Sequence, residues 1–284
     1  MWNPNVETFL CCDVPFEEAD TVLFGAPFDS TTSYRPGTRF GSRAARSESY
    51  GLESYSSYQD RDLLDSSVFD SGDIELPFGD CAKALSMIEE RAAAILEADK
   101  RPFMIGGEHL VTLGAVRAAA ERYPDLHIIH FDAHADLRDD YLGQKLSHAC
   151  VLRRCHDMLG DGRIFQFGIR SGDREEFAWG KDHVSTNKFN FEGLAACVEA
   201  LKGKPVYLTV DLDVLDPSVF PGTGTPEPGG VSFDALREAV TLVCANANIV
   251  ACDVNELSPH YDQSGISTAA ACKVIREMLL AMQK

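Results

Sequence analysis

Short apolar runs alternate along this chain with longer stretches in which apolar residues recur every three or four positions. The short runs read as strands: Val22–Pro27, Val68–Ser71, Phe103–Ile105, His127–Phe131, Ile164–Phe167, Val184–Thr186, Val206–Val210 and Ile249–Asp253. The longer patterns predict helices over Ala82–Ala98, Leu110–Arg122, Leu194–Lys202, Phe233–Ala245 and Ser267–Met282. Strands that alternate with helices form βαβ units, so the expected fold is α/β. It would be a three-layer α/β/α sandwich around a mostly parallel sheet of about eight strands. The 284 residues carry no internal repeat and no Gly/Ser linker, which predicts one domain over 1–284.

Composition narrows the function classes. Hydrophobic residues make up 45% of the chain, ample for one large core. No apolar run reaches the roughly 20 residues of a membrane span, and none is expected. The segment Met1–Leu10 lacks a basic start, so no secretory signal is expected. The nine cysteines form no CxxC pair, which fits reduced structural thiols in a cytoplasmic protein. A net charge of −18 argues against a nucleic-acid partner and suits a cationic small molecule or metal ions.

Candidate chemistry lies where three strands stop. Phe103–Ile105 runs into Gly106–Gly107–Glu108–His109, His127–Phe131 into Asp132–Ala133–His134–Ala135–Asp136, and Val206–Val210 into Asp211–Leu212–Asp213. In an open parallel sheet, ligands bind beyond the carboxyl ends of the strands. Alternate residues of an extended segment point the same way, so Asp132, His134 and Asp136 can converge, as can Asp211 and Asp213. Four clustered carboxylates repel one another unless cations sit between them, and two divalent ions would offset their charge. Carboxylate and imidazole ligands without a thiolate suit manganese. A metallophosphatase would also need a Gly-Asn-His cluster, which the sequence lacks.

These three clusters resemble the signature motifs of the ureohydrolase (arginase/agmatinase) family, in the family's order. Ser33–Gly41 resembles the agmatinase-type N-terminal loop, and Pro221–Glu227 the loop after the third motif. The resemblance covers most of the chain from Val22 onward. It implies an arginase-like fold and two Mn²⁺ per subunit. His109, Asp132, Asp136 and Asp211 would hold one ion, and Asp132, His134, Asp211 and Asp213 the other. It further implies hydrolysis of a guanidinium group, with agmatine the expected substrate and a homotrimer or homohexamer the expected assembly. Asp136 would carry a proton to the leaving nitrogen. Glu256, in Asn255–Glu256–Leu257–Ser258–Pro259, would bind the guanidinium, and His148 of the Ser147–His148 pair would line the site. Asn255 stands where many relatives carry an apolar residue. His127 and His130 are expected to pack, and His156, His183 and His260 to lie on the surface or in loops.

Overall fold

The computed structural model describes residues 7–283, so the reading of the N-terminus falls partly outside the described residues. In chain order the strands are β1 (Thr21–Gly25), β2 (Tyr55–Ser56), β3 (Arg61–Asp62), β4 (Val68–Asp73), β5 (Arg101–Ile105), β6 (His127–Phe131), β7 (Ile164–Ile169), β8 (Ser185–Lys188), β9 (Pro205–Asp211) and β10 (Asn248–Asn255). Eight of them form one sheet in the order β4-β1-β5-β10-β9-β6-β7-β8, while β2 and β3 make a small antiparallel ribbon. Every pairing within the large sheet is parallel. All eight expected strands are present, with ends shifted by a few residues.

The sheet is covered on both sides, so its central strands are buried on both faces, as parallel strands require. Leu23, Phe103, Ile129 and Leu208 join one core with α1 (Gly41–Ser49), α6 (Leu194–Ala200), α7 (Phe233–Asn246) and α8 (Ile266–Ala281). Their chain neighbours Val22, Met104, Ile128 and Tyr207 point the other way. There they pack with α2 (Cys81–Glu97), α3 (Thr112–Arg122) and α4 (Val151–Leu159), with α5 (Arg174–His183) beside them. The result is the expected three-layer α/β/α sandwich.

Three helices were not evident from the pattern, each for a local reason. Helix α1 buries Ala45, Arg46 and Ser49 rather than large apolar groups. Arg46 pays its burial by pairing with Asp70 at 2.7 Å and with Asp73, both on β4. Helices α4 and α5 have 9 and 10 residues, too short for several helical periods. Helix α5 does carry a legible start, a capping box in which Asp173 and Glu176 each accept the other's backbone N–H. Among the described residues, no helix is long and apolar enough to cross a membrane.

Candidate metal centre and cleft

Four adjacent central strands deliver the polar clusters to one edge of the sheet. Register sets their level: Val254 pairs with Ile105, Asn255 with Asp211, and Phe131 with Val210. The residues just past these pairs, Gly106 to His109, Asp132, Asp211 and Glu256, therefore share one rim. The carboxylates converge, although not by strand alternation. Strand β6 ends at Phe131, and Leu212–Val214 is a 3₁₀ turn. Instead, Asp132 accepts the His134 N–H at 2.6 Å, and Asp211 accepts the Asp213 N–H at 2.8 Å. Each aspartate thus folds its own loop and turns its second member inward. Asp136 and Glu256 both have left-handed backbone, with φ of 54° and 66°. Such conformations in residues other than glycine concentrate at functional sites.

His109 Nδ1 lies 3.1 Å from Asp132, 3.2 Å from Asp136 and 3.3 Å from Asp211. It is buried and makes no well-directed hydrogen bond to any of them. An unprotonated ring nitrogen facing three carboxylate oxygens fits a cation held between them. His134 Nδ1 lies 3.0 Å from Asp213 and 3.5 Å from Asp132, which makes a second such meeting point. All six predicted ligands are thus brought together.

The electrostatics agree with that fit. Burial and the neighbouring Asp132 push the Asp136 carboxyl up to about 7. Burial, with Asp213 and Asp132, raises Asp211 well above the carboxylate range. Burial also opposes charge on His109 and His134, yet the facing carboxylates raise both well above the ordinary imidazole value. Without cations the cluster keeps protons that it would give up on binding them.

Outer residues fix these ligands. His109 Nε2 is 2.9 Å from Thr209 Oγ1. With Nδ1 turned to a cation, Nε2 keeps the proton and donates it to that hydroxyl. Behind Thr209, the buried Asp253 accepts the Tyr207 hydroxyl at 2.5 Å and the Asn255 amide at 2.7 Å. Asn255 also donates to Thr112 Oγ1 at 3.0 Å, which accounts for an amide where an apolar residue was anticipated. His130 is buried, as expected, but it is also part of the site. Gln166 donates to its Nδ1 at 3.0 Å, so Nε2 carries the proton bonded to Asp132 at 2.8 Å.

Glu256 adjoins the candidate ligands, with Oε1 accepting the His109 N–H at 2.7 Å. A Cβ on Gly224 would lie 3.6 Å from its Oε2 and 3.1 Å from the Arg35 carbonyl oxygen. Both predicted loops, 33–41 and 221–227, therefore close over this carboxylate. The first is anchored by Asp29, which accepts the Gly37 N–H at 2.8 Å and pairs with Arg39. Glu108 is a further anchor. It is fully buried and accepts the Thr31 N–H at 2.8 Å and the Thr31 hydroxyl at 2.6 Å.

His148 stands on the wall of a cleft of about 270 Å³, shared with Ser33, His134, Asp136, Arg138 and Thr225. Burial, with His134 nearby, lowers its pKa to about 4, so the ring is neutral at pH 7. A larger hollow of about 410 Å³ lies at the opposite edge, where β1, β4, β5 and β10 begin, far from the carboxylates.

Residues 19–281 match the family model described as the arginase family. The chain belongs to the arginase family. It is 47% identical to the agmatinase of Bacillus subtilis (strain 168), over 98% of this chain and 97% of that protein. Among solved structures it is similar to the agmatine ureohydrolase of Thermoplasma volcanium, with a TM-score of 0.89 and 36% identity. That match covers 98% of this chain and 94% of the other. It is also similar to the proclavaminate amidino hydrolase of Streptomyces clavuligerus, with a TM-score of 0.88, 34% identity and coverage of 98% and 97%.

Within this arginase-family chain, sequence reasoning missed Thr209, His130, Gln166, Glu108 and Asp253. Glu108 stands inside the Gly106–His109 cluster but was given no role, and the other four lie within strands rather than in a polar cluster. Their only sequence signal is a polar residue inside an apolar strand or next to one, as Thr209 is between Leu208 and Val210.

Proposed function

We propose that this chain hydrolyses agmatine to putrescine and urea at a centre of two divalent metal ions, manganese in the working enzyme. The observation that carries the reading is the meeting of six candidate ligand side chains, all buried but the partly exposed His134, beside the buried carboxylate of Glu256. His109, Asp132, Asp136 and Asp211 would hold one ion; Asp132, His134, Asp211 and Asp213 would hold the other. Bound there, two such ions would lower the pKa of water enough to provide the strong nucleophile that a resonance-stabilised guanidinium carbon needs near neutral pH. Glu256 has one oxygen committed to the His109 N–H and lone pairs left on both, so it can accept the forked N–H groups of the substrate. Asp136, whose Oδ2 lies 3.2 Å from His109 Nδ1 at the rim of the cleft, is placed to pass a proton from the nucleophile to the leaving amine. His148, neutral in the cleft wall, can accept a hydrogen bond from the substrate.

Arg138 on the cleft wall favours a second reading, a guanidine with a carboxylate tail. Its charge is shared, however, with Asp173 at 3.0 Å and Glu176 at 3.4 Å, so the wall is not net cationic. An ammonium tail therefore remains the better match. We also read the protein as one catalytic unit over 1–284, working as a homotrimer or homohexamer in the cytoplasm. Nine free cysteines suit a reducing compartment. Urea release from agmatine, guanidinobutyrate and arginine, with and without added Mn²⁺, tests the proposal. A preference for agmatine that disappears on chelation is expected. Equal turnover by chelated protein would overturn the metal centre, and a preference for guanidinobutyrate would overturn the substrate.

A further inference from the structure

Away from the cleft, at the far ends of α4 and α5, three potential metal ligands meet. His156 Nε2 lies 2.8 Å from Asp161 Oδ1, and His183 Nδ1 lies 2.6 Å from the same oxygen. The three ligand atoms fall within 4.8 Å of one another. None of these residues takes part in the chemistry proposed above. We infer that His156, Asp161 and His183 form a second, distal site for a zinc-class divalent ion, with water completing its coordination.

The donor set decides the class of ion. Two imidazoles and one carboxylate suit zinc, nickel, cobalt or copper, whereas the all-oxygen ligands preferred by magnesium and calcium are absent here. The imidazoles are held in advance by one indole. His183 stacks on Trp179 at 4.3 Å and 18°, and His156 meets the same ring edge-on at 4.7 Å and 88°. Arg153 lies over the Trp179 ring, with Cζ 3.8 Å from its centroid, which adds a cation–π contact to the stack. Ligand orientation fixed by packing is what a metal site needs from its surroundings.

The third ligand can adjust. Metal–ligand bonds of about 2.0–2.1 Å in a tetrahedron set ligand atoms roughly 3.3 Å apart. Asp161 must therefore withdraw by about half an ångström from its two hydrogen bonds. It lies between Gly160 and Gly162, whose φ values are 78° and 73°. A Cβ built at either glycine would meet nothing within 4 Å, so the turn has room to move. Asp161 is also 66% exposed, which gives an ion a way in.

The placement gives the site a structural consequence. The Asp136 carbonyl accepts the Leu152 and Arg153 N–H groups at the start of α4. Glu176 in the first turn of α5 accepts the Leu137 N–H at 3.0 Å. An ion at the distal site would fasten together the far ends of the two helices whose near ends hold the 136–137 turn.

The test uses full-length protein with its catalytic centre loaded with Mn²⁺. The chain has two tryptophans, so Trp2→Phe leaves Trp179 as the single indole reporter. Nickel(II) should quench Trp179 saturably, and zinc should reverse the quench. Equilibrium dialysis with zinc should find one more ion per chain in the parent than in a His156→Ala/His183→Ala variant. His183→Gln keeps a hydrogen bond to Asp161 but no ligand. It should weaken zinc binding by more than about 10-fold, the loss that follows removal of even an outer-shell partner. At the same zinc concentration, the melting temperature should rise more in the parent than in His183→Gln. Equal zinc counts in parent and double variant, or equal quenching in both, would overturn the inference and leave the trio as a hydrogen-bonded clip. Because each readout is a difference between parent and variant, it is independent of which reaction the catalytic centre performs.

Discussion

At the scale of single residues, the proposed function separates charge that would hold metal from charge that would hold substrate. Glu256→Gln keeps size and removes the anion. The loss of a buried charge-assisted contact should cost about 2–4 kcal/mol. That is roughly a 30- to 1,000-fold fall in kcat/KM. Metal content should stay at the wild-type value, because Glu256 is not one of the candidate ligands. A variant with near-normal kcat/KM would make Glu256 a loop residue, and one that loses metal would move it among the ligands. Asp213→Asn affects the other function. Asp213 faces His134 but lies outside the three carboxylates around His109. Elemental analysis should find about one ion per chain in that variant. Two firmly held ions would remove Asp213 from the centre.

At the scale of elements, strand β9 carries both a candidate ligand and the support for another. Asp211 ends the strand, and Thr209 two residues earlier holds His109 from behind. Thr209→Val keeps the shape and removes the acceptor for His109 Nε2. The strand should persist, because valine suits a buried parallel strand. Metal affinity should fall about 10- to 100-fold, the usual loss when an outer-shell partner is removed. Calorimetric titration of metal-free protein with Mn²⁺ measures this directly. Unchanged affinity would make Thr209 a packing residue only. The same scale explains what was hidden in the sequence. Helix α1 buries an Arg46–Asp70 pair that no apolar periodicity could announce. The strand ends were legible because polar clusters such as Asp132 to Asp136 have no place in an apolar core.

At the scale of the whole molecule, stability and metal binding are linked through protons. Asp136 rises from an ordinary 3.8 to about 7, and Asp211 and Glu256 are also raised by burial. Over that interval the folded, metal-free protein binds more protons than the unfolded chain, so its stability falls as pH rises. The contribution is fully present below about 4 and lost as pH passes through about 7. Lowered groups act in the opposite sense, and burial makes His127 and His130 two of them. Asp132, against its burial, is held well below 3.8 by His109, His130 and His134, and burial lowers His148 to about 4. Lowered aspartates are already ionised at pH 5, so between pH 5 and 8 the raised groups, which include Glu108, His109 and His134, outweigh the lowered histidines. Chelated protein should therefore melt at a lower temperature at pH 8 than at pH 5. Mn²⁺ should remove most of that difference, because cations take the place of the protons. Higher stability of the chelated protein at pH 8 would contradict this assignment of charges.

The sequence alone determined the layer architecture, the eight strands of the sheet and the clustering of carboxylates and imidazoles at three strand ends. Each follows from local rules. Apolar runs of strand length between helical periods require a covered parallel sheet, and carboxylates with imidazoles at strand ends require a cation. Tertiary structure decided the rest. The order β5-β10-β9-β6 brings Glu256 to His109, although 147 residues separate them in sequence. Likewise Thr31 reaches Glu108 across 77 residues, and Gln166 reaches His130 across 36. Hydrogen bonds over such separations depend on which strands become neighbours. That choice is made by burial of both faces of the sheet at once, not by any local pattern. The pairing of His156 with His183 through Asp161 arises in the same way, from α4 and α5 ending side by side.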